Sequence, residues 1–176
     1  MASTASLCAG LPATLVFGGR VATLRRLRPD DGPRLIGFFQ SHTPETIHQR
    51  YGYLITQMSP ERAARLVGVN QARDAALGVF EKDEGHIRLA AVGRYCLLDD
   101  GQSAELAFVV REDRRQLGMA RALLKKLTAI ARLRGLTRFV AQVQRDNLAM
   151  LQLFREHRAQ ITEIPGAGAV EASIAL

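Results

Sequence analysis

The sequence predicts one α/β (α+β) domain, a central, mostly antiparallel mixed sheet of six to seven strands flanked by about four to five helices. Three observations predict it. Short β-branched runs recur along the chain, the stretch 75–110 is divided by turns too short for a parallel crossover, and the hydrophobic period becomes helical after Gly118. The 176 residues are 47% apolar and 23% charged, enough to bury one core and too apolar for a disordered chain. Residues 1–12 read as a flexible tail and 13–176 as the domain.

The elements follow in order. Runs at 14–17 and 21–24 flank Gly18-Gly19-Arg20, the signal of a small hairpin. Asp30-Asp31 before Pro33 supplies an N-cap and an early-turn proline for a short helix whose apolar stripe is Leu35, Ile36, Phe38 and Phe39. Thr43-Pro44-Glu45 and Ser59-Pro60-Glu61 repeat that device with a hydroxyl cap and an acid near the positive helix end. Strands at 75–80, 87–98 and 104–110 form an antiparallel meander across Lys82-Asp83-Glu84-Gly85 and Asp99-Asp100-Gly101-Gln102. Leu123, Leu124, Leu127, Ile130 and Ala131 then share one side of a helix that stops at Gly135. Residues 137–143 read as a strand, 147–157 as a helix with Met150, Leu151, Leu153 and Phe154 apolar, and 167–176 as a closing strand.

Several function classes are excluded. No apolar run approaches the ~20 residues that span a bilayer. Residues 1–19 carry no basic side chain, so a charged secretory leader is not expected and the cytoplasm is the expected location. Cys8 and Cys96 make neither a disulfide framework nor a metal knuckle, and His42, His48, His86 and His157 lack ligand spacing, so no metal is expected.

The formal charge of +7 is concentrated. Between Arg111 and Arg138 lie nine basic residues and two acids, and the rest of the chain is neutral. An anion is therefore expected to approach this segment: a phosphorylated small molecule, nucleic acid or an acidic membrane. The alternative is an ordinary solvated Arg face. Exposed aromatics do not interleave these arginines, which argues against single-strand nucleic-acid stacking.

Within that segment a strand ends at Val109-Val110, residues 111–117 form a polar loop, and Gly118-Met119-Ala120 opens the long helix. Gly118 and Ala120 remove bulk where unpaired helical N–H groups point outward, and Arg114, Arg115 and Arg121 surround them with guanidinium groups suited to phosphate oxygens. Gly-Lys-Ser/Thr is missing, so this is no Walker loop, and one glycine does not make the dinucleotide fingerprint.

The spacing Arg115-x-x-Gly118-x-Ala120 resembles the Arg/Gln-x-x-Gly-x-Gly/Ala signature of the GNAT superfamily of acyl-CoA-dependent N-acyltransferases. The resemblance runs from about Val21 to Phe154, follows the superfamily's order of elements, and includes Arg145-Asp146-Asn147-Leu148-Ala149-Met150, similar to its Glu-Asn-x-x-Met stretch. Residues 23–31, 43–51 and 104–108 further resemble the acetyltransferase domain of bacterial protein lysine acetyltransferases.

The resemblance implies acetyl-CoA as cosubstrate. Backbone groups of Phe108, Val109 and Val110 would pair with the pantetheine arm, with one N–H polarising the thioester carbonyl. Arg115, Gln116, Leu117, Gly118, Met119, Ala120 and Arg121 would hold the pyrophosphate, and Asn147 would orient the arm, be a plain N-cap, or do both. Glu105 aligns with the catalytic glutamate that takes the amine proton, against the bland reading of a solvated strand position. Phe154 stands where many members have a Tyr general acid, and Glu156-His157-Arg158-Ala159 departs from the usual Gly-Phe ending. Tyr51 and Tyr53 line the acceptor cleft or belong to the core.

The expected function is therefore direct transfer of acetyl to a primary amine, foremost a protein lysine. Rival readings are a small-molecule amine as acceptor, a non-catalytic acyl-CoA sensor, and a nucleic-acid binder. Neither nucleic acid nor membrane is the expected partner, and terminal strands of such a fold can pair in a homodimer.

Overall fold

The computed structural model describes residues 10–51 and 55–176; most of the expected tail, with Cys8, and Tyr53 lie outside the described residues. In chain order the elements are β1 (Ala13–Phe17), β2 (Arg20–Arg26), α1 (Gly32–Gln40), α2 (Pro44–Tyr51), α3 (Pro60–Val67), β3 (Ala75–Asp83), β4 (His86–Leu97) and β5 (Ser103–Val110). They continue with α4 (Met119–Leu133), β6 (Arg138–Gln144), α5 (Leu148–Glu156), β7 (Gln160–Glu163) and β8 (Ala169–Ala175). One sheet of eight strands runs β1-β2-β3-β4-β5-β6-β8-β7, antiparallel throughout except for β5 beside β6. The sequence leads one to expect six or seven strands. The extra one, β7, is four mostly exposed residues without an apolar side to announce it.

The sheet divides the core into two layers. On one face α4 and α5 pack Leu123, Leu127, Ile130, Leu151 and Phe154 against Leu77, Leu106, Phe108 and Phe139. On the other, α1, α2 and α3 pack Leu35, Phe38, Ile47 and Val67 against Leu27, Phe80 and Val92. Alternation along β5 serves both layers: Ala104, Leu106 and Phe108 face α4, and Val109 packs on the opposite side. Each fully buried aliphatic side chain in these layers contributes about 1.5–3 kcal/mol.

Two caps behave as the sequence predicts. Ser59 Oγ accepts from the Arg62 N–H at 3.2 Å and Thr43 Oγ1 from the Thr46 N–H at 3.3 Å. The Asp31 side chain, expected to cap α1, makes no cap bond. It is wholly buried instead, receives both guanidinium branches of Arg25 at 2.7 and 2.8 Å, and also accepts from Arg34 and the Arg28 N–H. Those bonds more than offset the burial that would raise its pKa, so its carboxyl stays below the usual range.

Both helices of the first layer end in the same geometry. After α4, Gly135 takes φ +76° while Leu136 N–H donates to Ala131 C=O and Gly135 N–H to Arg132 C=O, each at 3.0 Å. After α5, Ala159 N–H donates to Phe154 C=O at 3.0 Å and Arg158 N–H to Arg155 C=O at 2.9 Å. This is the Schellman arrangement, and here Arg158 holds the left-handed φ of +58° that glycine holds elsewhere. The departure at 156–159 thus turns the chain into β7 without a glycine.

Candidate active site

The site begins where the sheet opens. β5 pairs with β6 only through Ser103, Ala104 and Glu105, opposite Arg138, Phe139 and Val140. Beyond Glu105 the two strands part, while β5 stays paired to β4 as far as Val110. Leu98 N–H donates to Ser103 C=O and Arg111 N–H to Ala90 C=O, so odd-numbered residues of β5 bond to β4 and even-numbered ones face the gap. Phe108 and Val110 therefore present N–H and C=O groups to the wedge. Val109, expected to do the same, commits its backbone to β4 opposite Val92 and contributes only its side chain to the cleft wall.

A cleft of about 600 Å³ continues from the wedge. Phe108, Val109, Val110, Arg115, Gln116, Gly118, Met119, Ala120, Arg121 and Asn147 all line it, as the sequence leads one to expect. Leu117 does not: its side chain lies against the hairpin, where a Cβ added at Gly18 would come within 3.1 Å of Leu117 Cδ1.

Gly118 is the N-cap of α4 with φ +87° and ψ +6°, and no side chain caps the helix. The first N–H groups of α4 thus stand without intrahelical partners at the cleft. A Cβ added at Gly118 would meet nothing within 4 Å, so glycine is required there by backbone conformation and its surroundings are open. Gln116 also adopts a left-handed φ, +62°, in the same loop. Strain of this kind persists where surrounding structure holds it, and here it turns backbone toward the cleft. The donors and open space fit a pyrophosphate, and Phe108 and Val110 fit an amide-bearing arm, so coenzyme A suits the residues present.

The arginines of the loop are more committed than the sequence suggests. Arg114 donates through Nε to buried Glu81 on β3 at 2.7 Å and through Nη1 to Asp113 at 2.8 Å. Arg121 pairs with Glu156 across the cleft, and Arg115 donates to Thr46 Oγ1 at 2.5 Å. Thr43 N–H donates to Glu112 Oε1 at 2.9 Å, so the start of α2 is tied to the loop from both directions. Partial burial would push the Glu112 carboxyl up, but hydrogen bonds from Thr46 and Thr43 outweigh it and hold it below the usual range.

Glu105 is exposed at the root of the wedge, in a second pocket with Arg50, Tyr51, Phe108, Asn147 and Phe154. Its backbone is the last of β5 to pair with β6, which carries its carboxylate to where the donor cleft opens. Asn147 Oδ1 accepts from the Met150 N–H at 3.2 Å, so the plain N-cap reading holds and its Nδ2 remains for a ligand. Phe154 is 1% exposed and supplies packing where a tyrosine hydroxyl would otherwise stand. Tyr51 lines the same pocket and packs on Phe39, centroids 6.4 Å apart. Sequence reading missed Arg50 and Arg94. Their significance depends on β4 and α2 meeting, which no local pattern encodes. Cys96 is a free thiol that receives Arg94 Nη2 at 3.2 Å. No group of side chains suited to hold a metal ion occurs among the described residues, and no helix among them is long and apolar enough to cross a membrane.

Known proteins share this architecture. The GNAT domain of the S. lividans PAT protein superposes with a TM-score of 0.83 at 25% identity, covering 93% of this chain and 96% of that one. A ribosomal L7/L12 alpha-N-protein acetyltransferase solved with coenzyme A gives a TM-score of 0.70 at 16% identity over 93% of this chain and 98% of that one, a likeness of fold. A cAMP-binding acyltransferase from Mycobacterium smegmatis is 23% identical with a TM-score of 0.64; the match covers 97% of this chain and 49% of that longer protein. The family model for the acetyltransferase (GNAT) family matches residues 45–158, from the start of α2 through the splayed strands and the cradle to the end of α5. The chain therefore belongs to the acetyltransferase (GNAT) family and is an acetyl-CoA-dependent N-acetyltransferase.

Proposed function

We propose that the enzyme moves acetyl from acetyl-CoA to a protein lysine, by direct attack of the amine while both substrates are bound. The observation that carries this reading is the placement of Glu105 at the last paired position of β5, with the outward-facing amides of Phe108 and Val110 immediately beyond it. An ammonium has no lone pair, and Glu105, directly or through one water, removes its proton. An N–H from Phe108 or Val110 donates to the thioester carbonyl as negative charge grows there. Gly118, Met119, Ala120 and Arg121 hold the pyrophosphate through main-chain N–H groups, and Asn147 Nδ2 donates to the arm. With Phe154 in place of a hydroxyl, solvent protonates the departing thiolate.

The lysine acceptor follows the resemblance of residues 23–31, 43–51 and 104–108 to bacterial protein lysine acetyltransferases, and the absence of an ion pair to Glu105 among the described residues leaves its carboxylate available as a base. Glu105→Gln tests the base assignment. As the base, Glu105 contributes about 10²–10⁴-fold, so the variant loses that much kcat while its acetyl-CoA Kd stays unchanged. Equal turnover by variant and wild type refutes the base assignment.

A further inference from the structure

Arg50, in the last turn of α2, and Arg94, on β4 opposite Ala107, meet at the acceptor side of the wedge. Arg50 lines the pocket that contains Glu105, and both arginines line an adjoining apolar void of about 30 Å³ beneath α1 and α2. Both are half-buried, and neither forms an ion pair among the described residues. Residues 1–9 and 52–54 contain no Asp or Glu, so they supply no missing carboxylate. Among the described residues Arg94 donates only to the Cys96 sulfur, and the Arg50 guanidinium stands 4.9 Å from the Tyr51 ring centroid.

Arg25, Arg111, Arg114 and Arg121 each have a carboxylate partner. Arg26 and Arg134, half-buried without one, donate instead to oxygens of Gln71, Asp74 and Tyr95, which Arg50 and Arg94 do not. Two like charges withdrawn from water on one wall are costly without an anion between them. Removal from water holds the Arg50 guanidinium below its ordinary range, the Arg94 charge adds to this, and Tyr51 and Glu105 oppose it. With Glu105 counted, this corner carries one net positive charge beside the proposed base.

We propose that the acceptor of this enzyme carries a carboxylate close to its amine, and that Arg50 and Arg94 hold that carboxylate while Glu105 takes the amine proton. The proposal deepens the acetyl-transfer reading and rests on it. Guanidinium forks match a carboxylate with two parallel hydrogen bonds, which fixes the acceptor's orientation as well as its charge. A purely cationic acceptor, such as a polyamine, meets repulsion at the same place. The carboxylate has two sources: an acidic residue beside a lysine in a protein segment, or the α-carboxylate of a free amino acid.

Direct binding to the CoA-loaded enzyme tests this without requiring turnover. The probes are capped peptides with lysine flanked by Glu or by Gln, and free lysine against lysinamide. At least one pair should show tenfold tighter binding for the carboxylate member, and the difference should collapse toward unity in both Arg50→Gln and Arg94→Gln, judged in variants that still bind CoA. Discrimination by the peptide pair identifies an acidic-flanked lysine, and by the second pair a free amino acid. Equal affinities within both pairs for wild-type enzyme overturn the proposal, as does a preference that survives both substitutions. Preserved discrimination with no acetyl transfer would refute the acetyl-transfer assignment while leaving the carboxylate site standing.

Discussion

Gly118 and Gly135 sit at opposite ends of α4 and offer a matched pair of perturbations. Both have left-handed φ, +87° and +76°, and a Cβ at either would meet nothing within 4 Å. Alanine at either position therefore adds no clash, only the conformational cost of a left-handed L-residue, about 1–2 kcal/mol. For a chain of this size that lowers Tm by roughly 2–8 °C, and by similar amounts in the two variants. Their effects on binding should differ. Only Gly118 lies in the cleft, and relieving the strain of alanine there rotates the N–H groups proposed to hold the pyrophosphate. Losing one hydrogen bond to a charged group costs about 1.5–3 kcal/mol, so Gly118→Ala should weaken acetyl-CoA about 10- to 150-fold. Gly135→Ala should leave affinity unchanged. Calorimetric titration beside thermal unfolding gives both quantities. Equal affinity of Gly118→Ala and wild type, at matched loss of Tm, would refute the cradle.

Three further outcomes are expected. Glu81→Ala strips Arg114 of its buried partner and should cost about 3 kcal/mol in denaturant unfolding, toward the lower end for a broken buried pair because Asp113 remains. His42 is held below its ordinary 6.5, chiefly by burial, so the unfolded chain binds the extra proton first. The resulting stability is full above about pH 6.5 and declines as pH falls from there toward the folded pKa, by at most ~1.4 kcal/mol per unit; His42→Gln should flatten that slope in urea titrations at stepped pH. Arg158→Gly removes the left-handed strain after α5, and after the entropy of glycine in the unfolded chain it should gain about 0.5–1 kcal/mol, visible as a Tm rise of a few degrees.

The order of elements was legible because it is written locally. Hydroxyl-proline-acid starts mark α2 and α3, Gly118 and Gly135 bracket α4, and short polar turns divide the meander. The candidate cradle was legible for the same reason, since one strand-loop-helix passage contains it. Pairings across the sheet were not. Asp31 looks like a cap in sequence and becomes a buried anchor only because β2 brings Arg25 alongside. Glu81 neutralises Arg114 from 33 residues away, so the local charge excess overstates how much positive charge the loop offers a ligand. The alternating commitment of β5 also depends on its partners. Val109 and Phe108 are alike in sequence, and register alone decides which of them shows its backbone to the wedge.

The wedge gives this sheet a third edge, situated in its interior. At the rim, β1 is an edge strand among the described residues, with Val16 on it and Val21 on neighbouring β2 exposed, the kind of border that invites another polypeptide to pair. The open flank of β5 lies instead at the floor of a cleft walled by α4 and α5, where an unrelated chain has little approach. The amides proposed to act in catalysis are thereby kept from pairing with a passing chain. The fold keeps its adhesive border indoors, and entry is governed by the shape of the visitor as much as by its charge.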